Sequence, residues 1–321
     1  MTEQGRTLVL GATGAVGSAL VGRLVAAGRD VRIAVRRPEM ARAVMGDVEV
    51  VQGDLTGIDS LARAMKGCTT VFHAAGLPEQ WLQDDRLFET VNVQGTRNAV
   101  AAAIRANVSS FVYTSTIDVF ARTPGVAFDE SRLDPLPQGT AYERSKQAAD
   151  LVVAEAIADG LPARFLHPAA LYGRSAATTV SMNTMITRLA GNRLPLLPPG
   201  GIPLVRTEDV ASGHLAAEGA PIGSRYILSD RYVPFADLVT IIQTLIPGVR
   251  RPPALPRRLA RPLAITGQAL ARATRRPPLL PTGQLHFMTS HIVPDSTRAR
   301  TELGWRPRPL EQSLADLLDA P

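Results

Sequence analysis

The sequence predicts an α/β protein, a doubly wound parallel sheet with a smaller, discontinuous C-terminal domain. Three observations predict it. Short apolar runs alternate with longer helical segments through the first half of the chain. A glycine cluster sits where the first run meets the first helix. After Leu171 proline and glycine become dense and the alternation breaks. Strands alternating with helices build right-handed βαβ units, and these give a parallel sheet covered on both faces.

Taken in order, the pattern predicts a strand over Thr7–Leu10 and an Ala/Val/Leu helix over about Ala15–Ala27. Val31–Val35 and Val48–Gln52 are the next expected strands, followed by a helix through Leu61–Met65. Thr70–His73 is expected as a strand and Phe88–Ala106 as a long helix. Phe111–Ser115 (strand), Tyr142–Ala158 (helix) and Ala163–Leu166 (strand) complete the first half. Further on, Thr207–Ala217 reads as a helix opened by an acidic pair, and Arg225–Leu228 as a strand. Residues 247–283 are rich in Pro and Arg with amphipathic stretches. The expected division places residues 1–170, with 203–228 returning, in a nucleotide-binding domain. Residues 171–202 and 229–321 form the substrate domain.

The 321 residues are 45% hydrophobic, enough to bury a substantial core. No apolar run reaches the roughly 18–20 residues that span a bilayer. The opening MTEQGRTLVLGATG reads as a short polar lead into a strand, not as a signal peptide. The single cysteine, Cys68, excludes an internal disulfide and fits a reducing, cytoplasmic setting. The five histidines, at 73, 167, 214, 286 and 291, show no metal-ligand spacing, so no metal is expected. The net charge of +6 is uneven. From Leu238 to Pro294 there are eight arginines and no acidic residue, which leaves about −2 for the rest of the chain. Nucleic acid is not expected as a partner, because no recognition motif or interleaved aromatics accompany that charge. Leu259, Leu263 and Leu270 among these arginines fit a lid over the substrate or a helix lying on a membrane, and the lid reading is preferred.

Gly11-Ala12-Thr13-Gly14-Ala15-Val16-Gly17 follows the first strand and opens the first helix. Gly11 permits the sharp turn, Gly14 lets backbone approach a pyrophosphate, and Gly17 allows close helix–strand packing. The helix N-terminus then faces phosphate with its partial positive charge. A carboxylate at the end of the second strand would select NAD through a ribose 2′-hydroxyl. This chain has Arg36 and Arg37 there, which suit a 2′-phosphate and favour NADP over NAD.

Tyr142-Glu143-Arg144-Ser145-Lys146 places Tyr and Lys one helical turn apart on one face. A nearby ammonium favours the phenolate, so the tyrosine exchanges protons closer to neutral pH. Of the 35 basic residues only Lys66 and Lys146 are lysines. In a chain that prefers Arg, a Lys at this spot points to a compact ammonium that bonds ribose hydroxyls beside a tyrosine.

These motifs resemble the extended short-chain dehydrogenase/reductase family, whose other patterns recur in order along nearly the whole chain. The fold implied is a Rossmann-type sheet. Asp54-Leu55 is similar to the family's segment with an adenine-contacting acidic residue after the third strand. His73-Ala74-Ala75-Gly76 resembles its cofactor-lining motif after the fourth, and Asn92–Thr96 its N-V-x-G-T helix. Thr207–Val210 and Glu302–Pro307 resemble two later family signatures. By the same resemblance, the second hydroxyl at the end of the fifth strand orients the reacting oxygen; this is Thr116, with Ser115 in reserve. Pro168 and Ala170 fall on the family's loop beside the nicotinamide.

The resemblance implies hydride transfer between NADP and a ketone or secondary alcohol, with Tyr142 as acid/base. Within the family, Tyr113–Val119 is similar to the 3β-hydroxysteroid dehydrogenase and dihydroflavonol reductase branch, which implies a largely apolar small molecule. The alternative is a sugar-nucleotide epimerase or dehydratase. Dehydratases carry T-D-E where this chain has Thr116-Ile117-Asp118, and sugar-nucleotide enzymes carry an Asn where this chain has Ala170. A non-catalytic NADP-binding regulator ranks last, since the Tyr/Lys pair is intact. Many relatives dimerise through two long helices, here about 88–106 and 142–158, so a homodimer is a further expectation.

Overall fold

The computed structural model describes residues 5–45, 48–137, 139–174 and 181–319. The polar lead Met1–Gln4 lies outside them. A central parallel strand is covered on both faces, so it needs a continuous apolar run. The first strand, β1 (Arg6–Leu10), is such a run, buried from Thr7 to Leu10. It leads into α1 (Ala15–Ala26), β2 (Val31–Val35), α2 (Pro38–Met45), β3 (Glu49–Gln52), α3 (Ile58–Met65) and β4 (Cys68–His73). Next come α4 (Arg86–Phe88), a π-helical stretch (Glu89–Gln94) and α5 (Gly95–Arg105), which run on as one helix, then β5 (Ser110–Thr114). A short 3-10 turn (Ile117–Val119) and β6 (Ala127–Phe128) lead to α6 (Ala141–Ala156) and β7 (Ala163–Pro168).

The second half holds β8 (Ala170–Tyr172), α7 (Ser181–Ala190), β9 (Gly201–Arg206), α8 (Thr207–Ala217), β10 (Arg225–Leu228) and β11 (Arg231–Pro234). It ends with α9 (Phe235–Leu245), α10 (Arg257–Thr274), α11 (Thr282–Thr289), β12 (Val293–Pro294), α12 (Thr297–Glu302) and α13 (Leu310–Leu318). The main sheet has seven strands in the order β10-β7-β5-β4-β1-β2-β3, all parallel. The order reverses between β1 and β4. Such a reversal opens a crevice at the strands' C-terminal ends, where ligands bind in this architecture.

One core, on one face of the sheet, includes Leu20, Leu24 and Ile33 and is joined from the second half by Val210, Ala211 and Trp305. Another, on the opposite face, includes Leu61, Met65, Val100 and Val153. A third belongs to the smaller unit and includes Tyr172, Ile186, Leu204, Leu238, Ile242 and Leu314. Two stretches fall on the other side of the expected boundaries. β9 pairs with β8 and β11 in a separate three-stranded sheet, so the return to the main unit begins with α8, which packs on α1. Ala299 of α12 and Trp305 pack into the main core, and the Trp305 indole donates to the Asp209 carbonyl at 2.8 Å. The strand β9 carries Pro203, which as a residue without an N–H argues against a strand and concealed it in the sequence.

Candidate active site

The glycine loop meets the loop after β4 at the switch point. Gly11 has φ +81°, a conformation that disfavours any other residue, and a Cβ there would lie 2.6 Å from the Ala75 backbone. A Cβ on Gly17 would lie 2.1 Å from the Gly11 carbonyl oxygen, so only glycine lets α1 sit this close. Gly14 is the N-cap of α1; no side chain caps it and the first turn has no acidic residue. The helix therefore opens with free backbone donors and an uncompensated positive end. Thr13 is exposed beside it, Ala15 begins the helix, and Val16 is buried in the core. This cradle fits a dinucleotide pyrophosphate.

The other cofactor candidates line the same edge of the sheet. Arg36 and Arg37 are exposed immediately after β2. Asp54 accepts from the Thr56 backbone N–H at 2.9 Å and its hydroxyl at 3.0 Å through one oxygen, Oδ1. Leu55 packs against Gly95, where a Cβ would come within 2.9 Å of its own. Ala74 donates its N–H to the Leu10 carbonyl at 3.0 Å, which ties β4's exit to β1. Gly76 is exposed beside the Asn92 side chain. Pro168 ends β7 and Ala170 begins β8.

Asn92, the first residue of the N-V-x-G-T motif, braces the site. Its amide accepts from the Leu77 N–H at 2.7 Å and donates to the Leu77 carbonyl at 3.1 Å and to the Ser145 hydroxyl at 2.9 Å. Ser145 in turn donates to the Tyr142 carbonyl at 2.7 Å. The loop after β4 is thereby fixed to the helix that carries Tyr142 and Lys146. Asn92 lies in the π-helical stretch, a distortion that often marks functional sites.

A capping box starts α6. The Thr140 hydroxyl accepts from the Glu143 N–H at 3.0 Å, and the Glu143 carboxylate accepts from the Thr140 N–H at 2.8 Å. The box fixes the first turn, where Tyr142 sits. The Tyr142 ring is edge-on to Phe88 at 6.0 Å and to Phe287 at 6.3 Å between centroids. Burial pushes its phenol well above the usual tyrosine range and the Asp118 carboxylate pushes the same way, while the Thr116 hydroxyl opposes them as a hydrogen-bond partner.

Of the two strand-end hydroxyls, Thr116 is the one that acts on the Tyr142 phenol. Thr116 also donates to Asp118 Oδ2 at 2.7 Å. Ser115 instead donates to Asp150 at 2.6 Å, beside the Arg225 guanidinium that holds the other oxygen of Asp150 at 2.7 Å. The geometry therefore corrects the reserve role given to Ser115: its hydroxyl is committed away from Tyr142. Lys146 donates to the Tyr113 hydroxyl at 3.1 Å and the Thr114 carbonyl at 2.8 Å, so the shift of Tyr142 towards neutral pH expected from its ammonium is not found. Burial lowers its ammonium to about 8, against the attraction of Asp150.

A charged chain that the sequence did not disclose extends from Thr116. Asp118 faces the Arg122 guanidinium at 3.3 Å, Arg122 reaches Glu143 at 2.6 Å, and His286 of α11 lies 3.5 Å from the same carboxylate. Burial alone would raise Glu143, but bonds from His286 and Thr140 and the charge of Arg122 hold it at about 2. Glu79 lies against Gly283 of α11 and is pushed up to about 7 by burial and by the charges of Glu143, Asp118 and Asp85. The only sequence signal for any of these was the pattern Thr140-x-x-Glu143, which marks a helix start.

On the substrate side, Met182, Ile186 and Leu197 do not face the Tyr142 site. They are buried instead in the smaller unit's own core. The C-terminal residue that reaches Tyr142 is Phe287.

The model of the NAD dependent epimerase/dehydratase family matches residues 7–220. Sterol demethylase protein B of Methylococcus capsulatus is 31% identical over 316 residues, 97% of this chain and 96% of that protein. The 4-hydroxy-2-methyl-3-oxo-4-farnesyl-3,4-dihydroquinoline-1-oxide ketoreductase of Stigmatella aurantiaca is 30% identical over 98% of this chain and 95% of its own length. The crystal structure of gox2253 superposes with a TM-score of 0.81 at 31% identity, covering 97% of this chain and 96% of that one. The glycine cradle, the Tyr142/Lys146 helix and these similarities agree, and the chain belongs to the NAD-dependent epimerase/dehydratase family of extended short-chain dehydrogenases/reductases.

Proposed function

We propose that this enzyme uses NADP to interconvert a ketone and a secondary alcohol on a largely apolar small molecule. The observation that carries the reading is Tyr142, with its phenol beside Thr116 and its ring between Phe88 and Phe287. Apolar rings around a proton donor suit an apolar substrate and exclude water from the reacting oxygen. The bound nicotinamide dinucleotide supplies or accepts the hydride. Gly11, Gly14 and Gly17 would hold its pyrophosphate, and Arg36 with Arg37 its 2′-phosphate. Tyr142, kept protonated at neutral pH, gives its proton to the carbonyl oxygen as that oxygen gains charge. Thr116 orients the same oxygen and Lys146 holds the ribose. In the oxidative direction the proton returns to Tyr142.

A diphosphate-binding role is poorly supported. His167, at the position where sugar-nucleotide enzymes often carry Arg, is fully buried and 3.1 Å from the Thr116 carbonyl. Ala170 offers no side-chain donor. The ketoreductase relative of Stigmatella aurantiaca adds weight to a reductase.

The test is turnover of hydrophobic cyclic ketones with NADPH and with NADH, using nucleotide sugars as controls. NADPH should bind roughly tenfold or more tightly than NADH, about 1.4 kcal/mol, and Arg36→Ala with Arg37→Ala should erase most of the difference. Equal affinities in the wild type would sink the 2′-phosphate assignment. Thermal stabilisation by nucleotide diphosphates alone, with none by any ketone, would reverse the choice of substrate.

A further inference from the structure

Helix α10 is packed the wrong way round for a core helix. Ala260, Ala264 and Ala271 are buried, while the leucine preceding each stays in solvent: Leu259 at 51%, Leu263 at 48% and Leu270 at 64% exposure. Leu259, Leu263 and Leu270 follow a spacing of four and seven, so they form one stripe about 100° round the helix from the alanines. Ile265, at 52%, is also exposed, as is Leu279 in the connection to α11, at 91%. A helix that served only to cover a core would bury its leucines, each worth about 1.5–3 kcal/mol.

The charge is equally one-sided. Arg250, Arg251, Arg257, Arg258, Arg261, Arg272, Arg275 and Arg276 are all exposed. Among the described residues none of these eight is ion-paired, and the sequence from Leu238 to Pro294 holds no acidic residue to pair with them. Arg257, Arg261 and Arg272 lie on the side of α10 opposite the leucine stripe. Leucines on one face and arginines on the other are what a helix lying in a bilayer interface requires. The apolar stripe enters the acyl boundary, and the guanidinium groups stay among anionic headgroups. No helix among the described residues is long and apolar enough to cross a membrane, so contact at the surface is the mode available.

We infer that α10 and its connection to α11 dock this protein onto the surface of an anionic lipid bilayer. The inference stands apart from the proposed reaction and does not depend on it. A second copy of the chain fits the surface less well, because a two-fold contact would bring together two regions that each carry eight arginines and no acidic residue. The consequence for access is direct: α10 packs on α11, and α11 carries Phe287 against Tyr142, so the docked surface lies one helix away from the reacting tyrosine.

Vesicle flotation of the full chain tests this. Vesicles of phosphatidylcholine and phosphatidylglycerol in equal parts should carry the protein, and raised salt should weaken the binding. Vesicles of phosphatidylcholine alone should carry roughly tenfold less. The triple variant Leu259→Ser, Leu263→Ser, Leu270→Ser should lose binding by roughly tenfold or more, with an unchanged melting temperature because these side chains are exposed. The variant Arg257→Gln, Arg261→Gln, Arg272→Gln should flatten the salt dependence. Absence of flotation with anionic vesicles, or equal flotation of the leucine variant, overturns the inference. A dimer in solution that the leucine variant dissolves also overturns it, by assigning the face to a second copy.

Discussion

The Tyr142 phenol is shifted by neighbours that lie far from it in sequence. Burial and the Asp118 charge raise it, and the Thr116 hydroxyl opposes them. Tyr142→Phe keeps the ring contacts with Phe88 and Phe287 and removes the proton donor. Turnover should fall by ~10²–10⁴, with NADPH affinity little changed. Activity near wild type would remove Tyr142 from the mechanism. Asp118 acts one step back, as a positioning residue: it accepts the Thr116 hydroxyl and places a negative charge near the phenol. Asp118→Asn weakens that acceptor, and kcat should drop roughly ten- to a hundredfold, the range of a lost bond to a charged group at about 1.5–3 kcal/mol. Losing the charge also lets Tyr142 ionise at lower pH. KM should change far less than kcat, and a loss carried by KM alone would deny Asp118 this role.

At the scale of elements, α6 and α11 are joined by Glu143 and His286, and this contact is pH-dependent. Glu143 raises His286 above its ordinary value, against burial and the Arg122 charge. A histidine raised on folding contributes stability that is complete below its unfolded pKa and lost as pH rises through the folded one. Glu143, held at about 2, remains an anion throughout that range. The melting temperature of the wild type should exceed that of His286→Asn at pH 5, with the gap closing by pH 8. A gap independent of pH would show that His286 packs without carrying charge. Helix α1 offers a paired test. A Cβ on Gly17 collides with the Gly11 carbonyl, so Gly17→Ala should cost about 1–3 kcal/mol. Gly22, on the exposed face of the same helix, has nothing within 4 Å. Gly22→Ala should stabilise by up to about 1 kcal/mol. Urea midpoints measure both, and equal effects would remove the packing argument.

Over the whole molecule, the chain crosses between its two units repeatedly, and its last helix closes the smaller one. Leu314 of α13 is fully buried with Tyr172, Leu204 and Ile242. Leu314→Ala should cost about 2–5 kcal/mol in denaturation. Because the glycine cradle belongs to the other core, NADPH binding should survive in the fraction that remains folded. Loss of cofactor binding in step with stability would show instead that the two units unfold as one.

Local patterns determined the nucleotide-binding half from sequence alone. Apolar runs, helix periodicity and the glycine motif are short-range signals, and the predicted strands Val31–Val35 and Arg225–Leu228 coincide with β2 and β10. That Tyr142 and Lys146 share one helix, a turn apart, was legible for the same reason. The smaller sheet was not, because β8, β9 and β11 are three to six residues long and one carries Pro203. Only the tertiary structure decided the partners of the two strand-end hydroxyls, Asp150 for Ser115 and Asp118 for Thr116. It also decided the charged chain through Arg122, Glu143 and His286, whose members meet across 164 residues. Hydrogen bonds and ion pairs between distant segments depend on packing distances that leave no period in the sequence. The same holds for α10: its sequence gave leucines, alanines and arginines, and packing alone determined that the alanines face inward.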